Sequence, residues 1–182
     1  MMGSSCIDVS LENIWKSWFL FRKGKRWTKE SDNFSYFLER ELRDICRDLN
    51  SGTYHHGGYS HFVVTDNKRR EISVASIRDK VIHRLVYQYL NEIYDQTFQY
   101  DVWSCRKEKG LIGAIKRTQR FLRQYRRGYV WRADIRKFFD HVDHAILKEI
   151  LALRVSDPIA RRIIGEIIDS YSVVLAVQDR RN

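Results

Sequence analysis

Ser76 opens the longest periodic apolar stretch of the chain, and that stretch limits what can surround it. Ile77, Val81, Ile82, Leu85, Val86, Tyr89, Leu90 and Ile93 recur at helical spacing. Asp79 stands three residues after Ser76, the arrangement of a capping box, so the spacing predicts a helix over 77–94. Just upstream lie two short β-branched runs, His61–Thr65 and Glu71–Ala75. The polar segment Asp66-Asn-Lys-Arg-Arg70 between them reads as the loop of an antiparallel hairpin, with Lys68, Arg69 and Arg70 projecting from it. A hairpin running straight into a long capped helix excludes an all-β fold and a plain helical bundle.

The flanking sequence adds mostly helix. Phe34, Leu38, Leu42, Ile45 and Leu49 predict a helix over 32–49, stopped by Gly52. Leu111, Ile115, Thr118, Leu122 and Tyr125 predict one over 111–125 with those residues inward and Lys116, Arg117, Arg120 and Arg123 outward. Tyr129–Ala133 reads as a strand ending at Asp134. Helices follow over 144–154, with Asp143 as cap, and over 157–170, where Asp157-Pro158 supplies a cap and an N1 proline. Residues 172–182 read as a Val-rich stub. The class is α+β, with more helix than strand.

Composition narrows the partners. The chain has 33 Lys and Arg against 23 Asp and Glu among 182 residues, a formal net charge of +10. Twelve of the basic residues fall between Arg106 and Lys137, opposed only by Glu108 and Asp134, and Arg22-Lys-Gly-Lys-Arg26 forms a second cluster. Basic clusters interleaved with Trp and Tyr point to nucleic acid; a solvated basic surface is the competing reading. No apolar run is long enough to span a bilayer, and Asp8, Glu12 and Lys16 interrupt the N-terminal stretch where a signal peptide would lie. Cys6, Cys46 and Cys105 are far apart, which fits a reducing, cytoplasmic setting rather than a disulfide scaffold or a Cys-rich zinc site.

Asp134-Ile-Arg-Lys-Phe-Phe-Asp140-His-Val-Asp143-His144 is the most informative segment. An Asp at a strand end in basic surroundings either holds a divalent ion against phosphates or caps the following turn. His141 and His144 have a spacing that two zinc ligands can use, but no neighbouring Cys or His completes a set.

Six segments in order then carry a resemblance: Arg22–Arg26, Asn50-Ser-Gly-Thr-Tyr54, Arg69-Arg-Glu-Ile-Ser73, Ile77-Arg-Asp-Lys-Val-Ile-His83, Ser104-Cys-Arg-Lys-Glu-Lys-Gly110 and Ala133–His144. From about Leu11 to Tyr171 the chain resembles the fingers and first palm portion of a reverse transcriptase, on the group II intron and diversity-generating retroelement branch. The resemblance implies a helix-rich fingers region with a β-hairpin over 1–128, the first part of a right-hand polymerase palm over 129–182, and no thumb. It implies RNA-directed DNA polymerase activity on an RNA template and primer, with deoxynucleoside triphosphates and Mg²⁺.

By the same resemblance, Asp134 and the Ile135 carbonyl match metal ligands, Asp134 being the catalytic position. Arg70, Arg78, Lys80, Arg136 and Phe139 match nucleotide-binding positions. Phe139 would exclude a 2′-hydroxyl and so favour deoxynucleotides, whereas Lys80 keeps a charge but lacks the guanidinium fork. Arg22, Lys23, Lys25, Arg26, Arg106, Lys109, Lys116, Arg120 and Arg123 are the candidate contacts to nucleic acid.

One part of the pattern is missing. The family's Tyr-x-Asp-Asp hairpin has no counterpart, since no Asp-Asp dipeptide occurs in the chain. The sequence ends about where the preceding Gly-rich segment is expected, so it reads as a truncated frame, a fragment or one piece of a split enzyme. The expectation is a chain inactive by itself. Its open palm edge, with Tyr129–Ala133 and Val173–Val177 exposed, invites pairing with a second chain. The alternatives are a non-catalytic basic RNA-binding module and a degenerate retroelement remnant.

Overall fold

The computed structural model describes residues 6–66 and 69–179. Lys68 lies outside the described residues, as do residues 180–182 and the side chains of Asp140 and of 172–179, including Val173–Val177. The helices are α1 (Leu11–Arg22), α2 (Lys29–Tyr36), α3 (Leu38–Ser51), α4 (Ile77–Tyr94), α5 (Leu111–Gln124), α6 (His144–Ala152) and α7 (Pro158–Asp179). Between α3 and α4 lie strands β1 (Tyr59–Thr65) and β2 (Arg69–Ala75), paired antiparallel from Tyr59↔Ala75 to Thr65↔Arg69. The α+β class and the hairpin stand as the sequence predicts. Among the described residues, β2 pairs with β1 alone.

The chain divides into two compact units, residues 1–90 with 144–182, and residues 91–143. In the first unit Ile14 and Trp18 of α1, Leu42, Ile45 and Leu49 of α3, Val81, Ile82 and Leu85 of α4, and Ala160 and Ile163 of α7 are all buried. Trp18 packs on Phe34 with ring centroids 5.0 Å apart. Polar ties close the ends. Asp157 accepts the Ile159 N–H at 2.9 Å as the cap of α7, and its other oxygen accepts the Ile7 N–H at 2.6 Å. Arg162 donates to the Leu49 carbonyl at 2.8 Å, beside the α3 terminus where Gly52 adopts φ +78°. A left-handed residue suits glycine there, and a Cβ on Gly52 would meet the Arg162 guanidinium at 2.5 Å.

The α4 boundaries match the prediction, and the capping arrangement forms: Asp79 N–H donates to Ser76 Oγ at 3.1 Å, and the Ser76 hydroxyl donates to Asp79 Oδ2 at 2.6 Å. Four points of secondary structure are corrected. The helix predicted over 32–49 is two helices, because a separate capping box at Thr28 and Ser31 starts α2 and the backbone leaves the helical region at Phe37. The apolar spacing survives this break, since Phe34, Leu42, Ile45 and Leu49 are all buried. The helix predicted to end near 170 continues as α7 to Asp179. α1 was missing from the sequence reading, although Ser10 accepts the Asn13 N–H at 3.3 Å and caps it.

The fourth correction concerns residues 129–133. They form no strand among the described residues. A strand exists only through a hydrogen-bonded neighbour, and residues 129–133 have none among the described residues. Tyr129, Val130 and Trp131 are instead among the most exposed large side chains of the chain.

Residues 91–143 hold no buried side chain among those described. The faces of α5 are therefore not as predicted: Leu111, Ile115, Leu122 and Tyr125 are exposed. The helix forms, but nothing described in that unit covers its apolar side. Segments with few buried contacts open at low free-energy cost. Limited trypsin digestion is thus expected to cut first within Arg123–Lys137, while amides of α3 and α4 exchange roughly 100-fold more slowly than those of α5. Equal protection in α4 and α5 would contradict this.

Candidate nucleic-acid interface

The candidate residues fall in both units. Arg22, Lys23, Lys25, Arg26, Arg70, Arg78 and Lys80 lie in the first; Arg106, Lys109, Lys116, Arg120, Arg123, Asp134, Ile135, Arg136 and Phe139 lie in the second.

In the first unit the hairpin carries Arg70 opposite Val64, exposed and without an ion pair among the described residues. Both strands are largely exposed. A two-stranded hairpin is marginal alone, so its base matters. There the Tyr59 hydroxyl bonds Ser170 Oγ at 2.9 Å and the Tyr59 ring stacks on His56 at 5.0 Å. Arg78 does not point free: its guanidinium donates to Asp48 Oδ2 at 2.6 Å. Between Arg78 and Lys80, Asp79 is 1% exposed. It also accepts the Tyr54 hydroxyl at 3.0 Å and the Gly57 N–H at 3.3 Å. Burial and the adjacent carboxylate hold the Tyr54 phenol well above its ordinary range, so it stays a donor.

His56 and His83 form a pair that the sequence reading did not single out. Their Nε2 atoms are 3.0 Å apart, and His56 Nδ1 lies 2.6 Å from the Gly57 carbonyl. A carbonyl only accepts, so His56 carries its proton on Nδ1 and its Nε2 accepts from His83 Nε2–H. Burial first, then the neighbouring His56 ring, hold His83 below the usual imidazole range; Asp79 opposes this and Lys80 adds to it. The unfolded chain therefore binds this proton more readily. Stability from the pair is present above about pH 6.5 and falls as the pH drops from there through the lowered native value. The melting temperature is expected to be lower at pH 5 than at pH 7, with the difference reduced in His83→Gln. An unchanged difference in that variant would assign the effect to other groups.

In the second unit, three of the basic residues are spent locally. Arg106 donates to the Asp95 carboxylate at 2.8 Å and to the Asp95 and Gln99 carbonyls at 2.9 and 3.2 Å. The hydrogen bond from Arg106 holds the Asp95 carboxyl below its usual range. Lys109 bonds the Tyr100 carbonyl and lies 4.1 Å over the Tyr100 ring and 4.8 Å over Trp103. Arg117, too, is paired, with Asp101 at 2.8 and 3.0 Å. By contrast Lys116, Arg120 and Arg123 are exposed and make no ion pair among the described residues. They sit at i, i+4 and i+7, a single stripe running about 10 Å along α5.

Asp134 is exposed in a segment without regular secondary structure, and Ile135 is 67% exposed. Phe139 is 78% exposed in a single 3₁₀ turn, edge-on to Phe138 at 5.3 Å. Lys137, at φ +52°, opens that turn. His141 Nδ1 bonds the Lys137 carbonyl at 2.9 Å. Among the described residues no three His, Cys, Asp or Glu side chains converge on a point that could hold a metal ion. Asp134 with one backbone carbonyl does not fit the two-ion arrangement that phosphoryl transfer uses.

No helix among the described residues is long and apolar enough to cross a membrane. No family model matches the chain. Among characterised proteins it is 25% identical over 129 residues to the group II intron-encoded protein LtrA of Lactococcus lactis subsp. cremoris, covering 69% of this chain and 21% of that protein. It is 24% identical over 132 residues to the putative COX1/OXI3 intron 2 protein of Saccharomyces cerevisiae, covering 71% of this chain and 15% of that one. The chain thus matches about a fifth or less of the length of these relatives. The similarity agrees with the resemblance carried by the motifs: over roughly 70% of its length the chain is a distant homologue of group II intron-encoded proteins.

Proposed function

We propose that the chain is a nucleic-acid-binding, fingers-type portion of a reverse transcriptase of the group II intron kind, which holds RNA but does not polymerise alone. The observation that carries this reading is the similarity to two intron-encoded proteins over roughly 70% of the chain. The hairpin leading into the capped α4, with Arg70 exposed on β2, is the arrangement that the fingers resemblance calls for. The unpaired stripe Lys116, Arg120 and Arg123 provides the means of binding, because neutralising phosphates releases counterions whatever the sequence.

Catalysis needs more than this chain's described residues bring together. Mg²⁺ would be held by Asp134 and the Ile135 carbonyl only with further carboxylates, so no catalytic step is assigned to the chain by itself. Phe139, Arg136, Arg78 and Lys80 remain the proposed nucleotide contacts in a completed enzyme. A second chain that completes the palm, with primer and deoxynucleoside triphosphate, belongs to the same proposal.

A primed RNA template, deoxynucleoside triphosphates and Mg²⁺ test it directly. The purified chain is expected to bind the RNA and leave the primer unextended, and Asp134→Asn is expected to leave RNA affinity unchanged within about twofold. Primer extension abolished by Asp134→Asn would overturn the inactive-alone reading. Absence of RNA binding would overturn the whole proposal.

A further inference from the structure

A second cationic cluster in the first unit lacks the neutralisation seen elsewhere. Arg78, Arg106, Arg117 and Lys148 each reach a carboxylate within 2.8 Å. Arg22, Lys25, Lys80 and Arg84 form no ion pair among the described residues. Lys80 and Arg84 are one turn apart on α4, hence on one face. Arg84 Nε is buried without a hydrogen-bond partner, and its guanidinium lies 5.0 Å over Tyr87. Lys25 comes from the loop after α1, its ammonium 3.5 Å over the Phe21 ring. Arg22 lies 3.6 Å over Trp27 and donates to the Lys25 carbonyl at 3.4 Å, which fixes that loop on α1.

The acids nearest in sequence are engaged elsewhere. Glu30 accepts the Ile77 N–H at 3.0 Å, and Asp79 holds Ser76, Tyr54 and Gly57. α1, which this loop follows, is tied to α4 one turn beyond Arg84, where Ser17 Oγ donates to Gln88 Oε1 at 3.3 Å. Burial first, then Lys80, Arg84 and Arg22 in turn, push the Lys25 ammonium below the usual lysine range. Like charges gathered with no counter-charge repel, and an anion set among them removes that repulsion while gaining several charge-assisted hydrogen bonds.

We propose that Lys25, Lys80 and Arg84, with Arg22 behind them, form a binding site for a phosphate group. The site does not rest on the polymerase reading, since it needs only these four cations. Arg84 is the new member; the guanidinium fork that Lys80 lacks is supplied one turn later on the same face. The phosphate would come from a nucleic-acid backbone or from a nucleoside triphosphate, and two probes separate these sources.

Sodium tripolyphosphate and a fluorescent oligouridylate are titrated, in phosphate-free buffer, into the intact chain and its Lys25→Gln, Arg84→Gln and Arg43→Gln variants. Tripolyphosphate binding is read as a rise in melting temperature and oligouridylate binding by anisotropy. Lys25→Gln and Arg84→Gln are expected to weaken at least one probe by about tenfold, whereas Arg43→Gln, which removes the same charge from a pair with Glu39, changes neither by more than about twofold. Loss confined to tripolyphosphate assigns the site to a nucleotide, and loss confined to oligouridylate assigns it to a strand. Should Arg84→Gln not fold, the exposed Lys25 carries the test. Unchanged binding of both probes in Lys25→Gln, or equal loss in Arg43→Gln, would overturn the site.

Discussion

Replacing Asp79 by Ala is expected to cost about 3–5 kcal/mol of unfolding free energy, the sum of several buried donors left without an acceptor. The carboxylate is 1% exposed and serves the Ser76 hydroxyl, the Tyr54 hydroxyl and the Gly57 N–H. It thereby joins the first turn of α4 to the segment between α3 and β1. Tyr54→Phe removes one donor with its hydrogen bond and is expected to cost only about 1–2 kcal/mol. Asp79→Asn should fall between them, because an amide turns at least one donor toward donors. Gly57→Ala is predicted to hurt through the same group: its Cβ would stand 2.8 Å from Asp79 Oδ2. Urea unfolding monitored by tryptophan fluorescence checks the series. A loss below about 1 kcal/mol for Asp79→Ala would show that water, not Asp79, satisfies these donors.

Asp79 also shows what the sequence could reveal. Its three-residue spacing from Ser76 announced the cap, and the local hydrogen bonds formed as that spacing implied. The partners Tyr54 and Gly57 lie more than twenty residues away, and no local pattern announces them. The hairpin was legible for the same local reason, since two β-branched runs with a short polar loop have few other solutions. Residues 129–133 failed because strand propensity reports a side chain's fit to a sheet, not the presence of a partner strand. On α5 the amphipathic period was right and its cover was not. Periodicity tells which residues share a face but cannot tell whether anything packs against it. α1 was overlooked although Ile14, Trp18 and Phe21 recur at helical spacing after Ser10, because Glu12 and Lys16 interrupt the apolar run.

The candidate site divides along the same line. Charge clustering marked Arg106 through Lys137 as basic, but only tertiary contacts separate the residues with partners from those without. Arg106 and Arg117 are held by Asp95 and Asp101, whereas Lys116, Arg120 and Arg123 remain unpaired among the described residues. The largest effect on RNA affinity is therefore expected from Arg120→Ala with Arg123→Ala: a loss of about tenfold or more at low salt. The slope of log affinity against log salt should flatten by roughly 1.4, twice the single-strand increment of about 0.7 per phosphate contact. Neither residue is buried, so stability should stay within about 0.5 kcal/mol of the parent chain. Arg117→Ala should instead act on the local fold by freeing Asp101, with a smaller change in the salt slope.

The most direct test is a salt titration of the affinity of the intact chain for single-stranded RNA, alongside the Arg120→Ala, Arg123→Ala double variant. A reading in which unpaired cations of a fingers-type unit grip phosphates predicts a steep linear fall of log affinity with log salt, made shallower in the double variant. No detectable binding at low salt, or an affinity indifferent to salt and to the two substitutions, would contradict it.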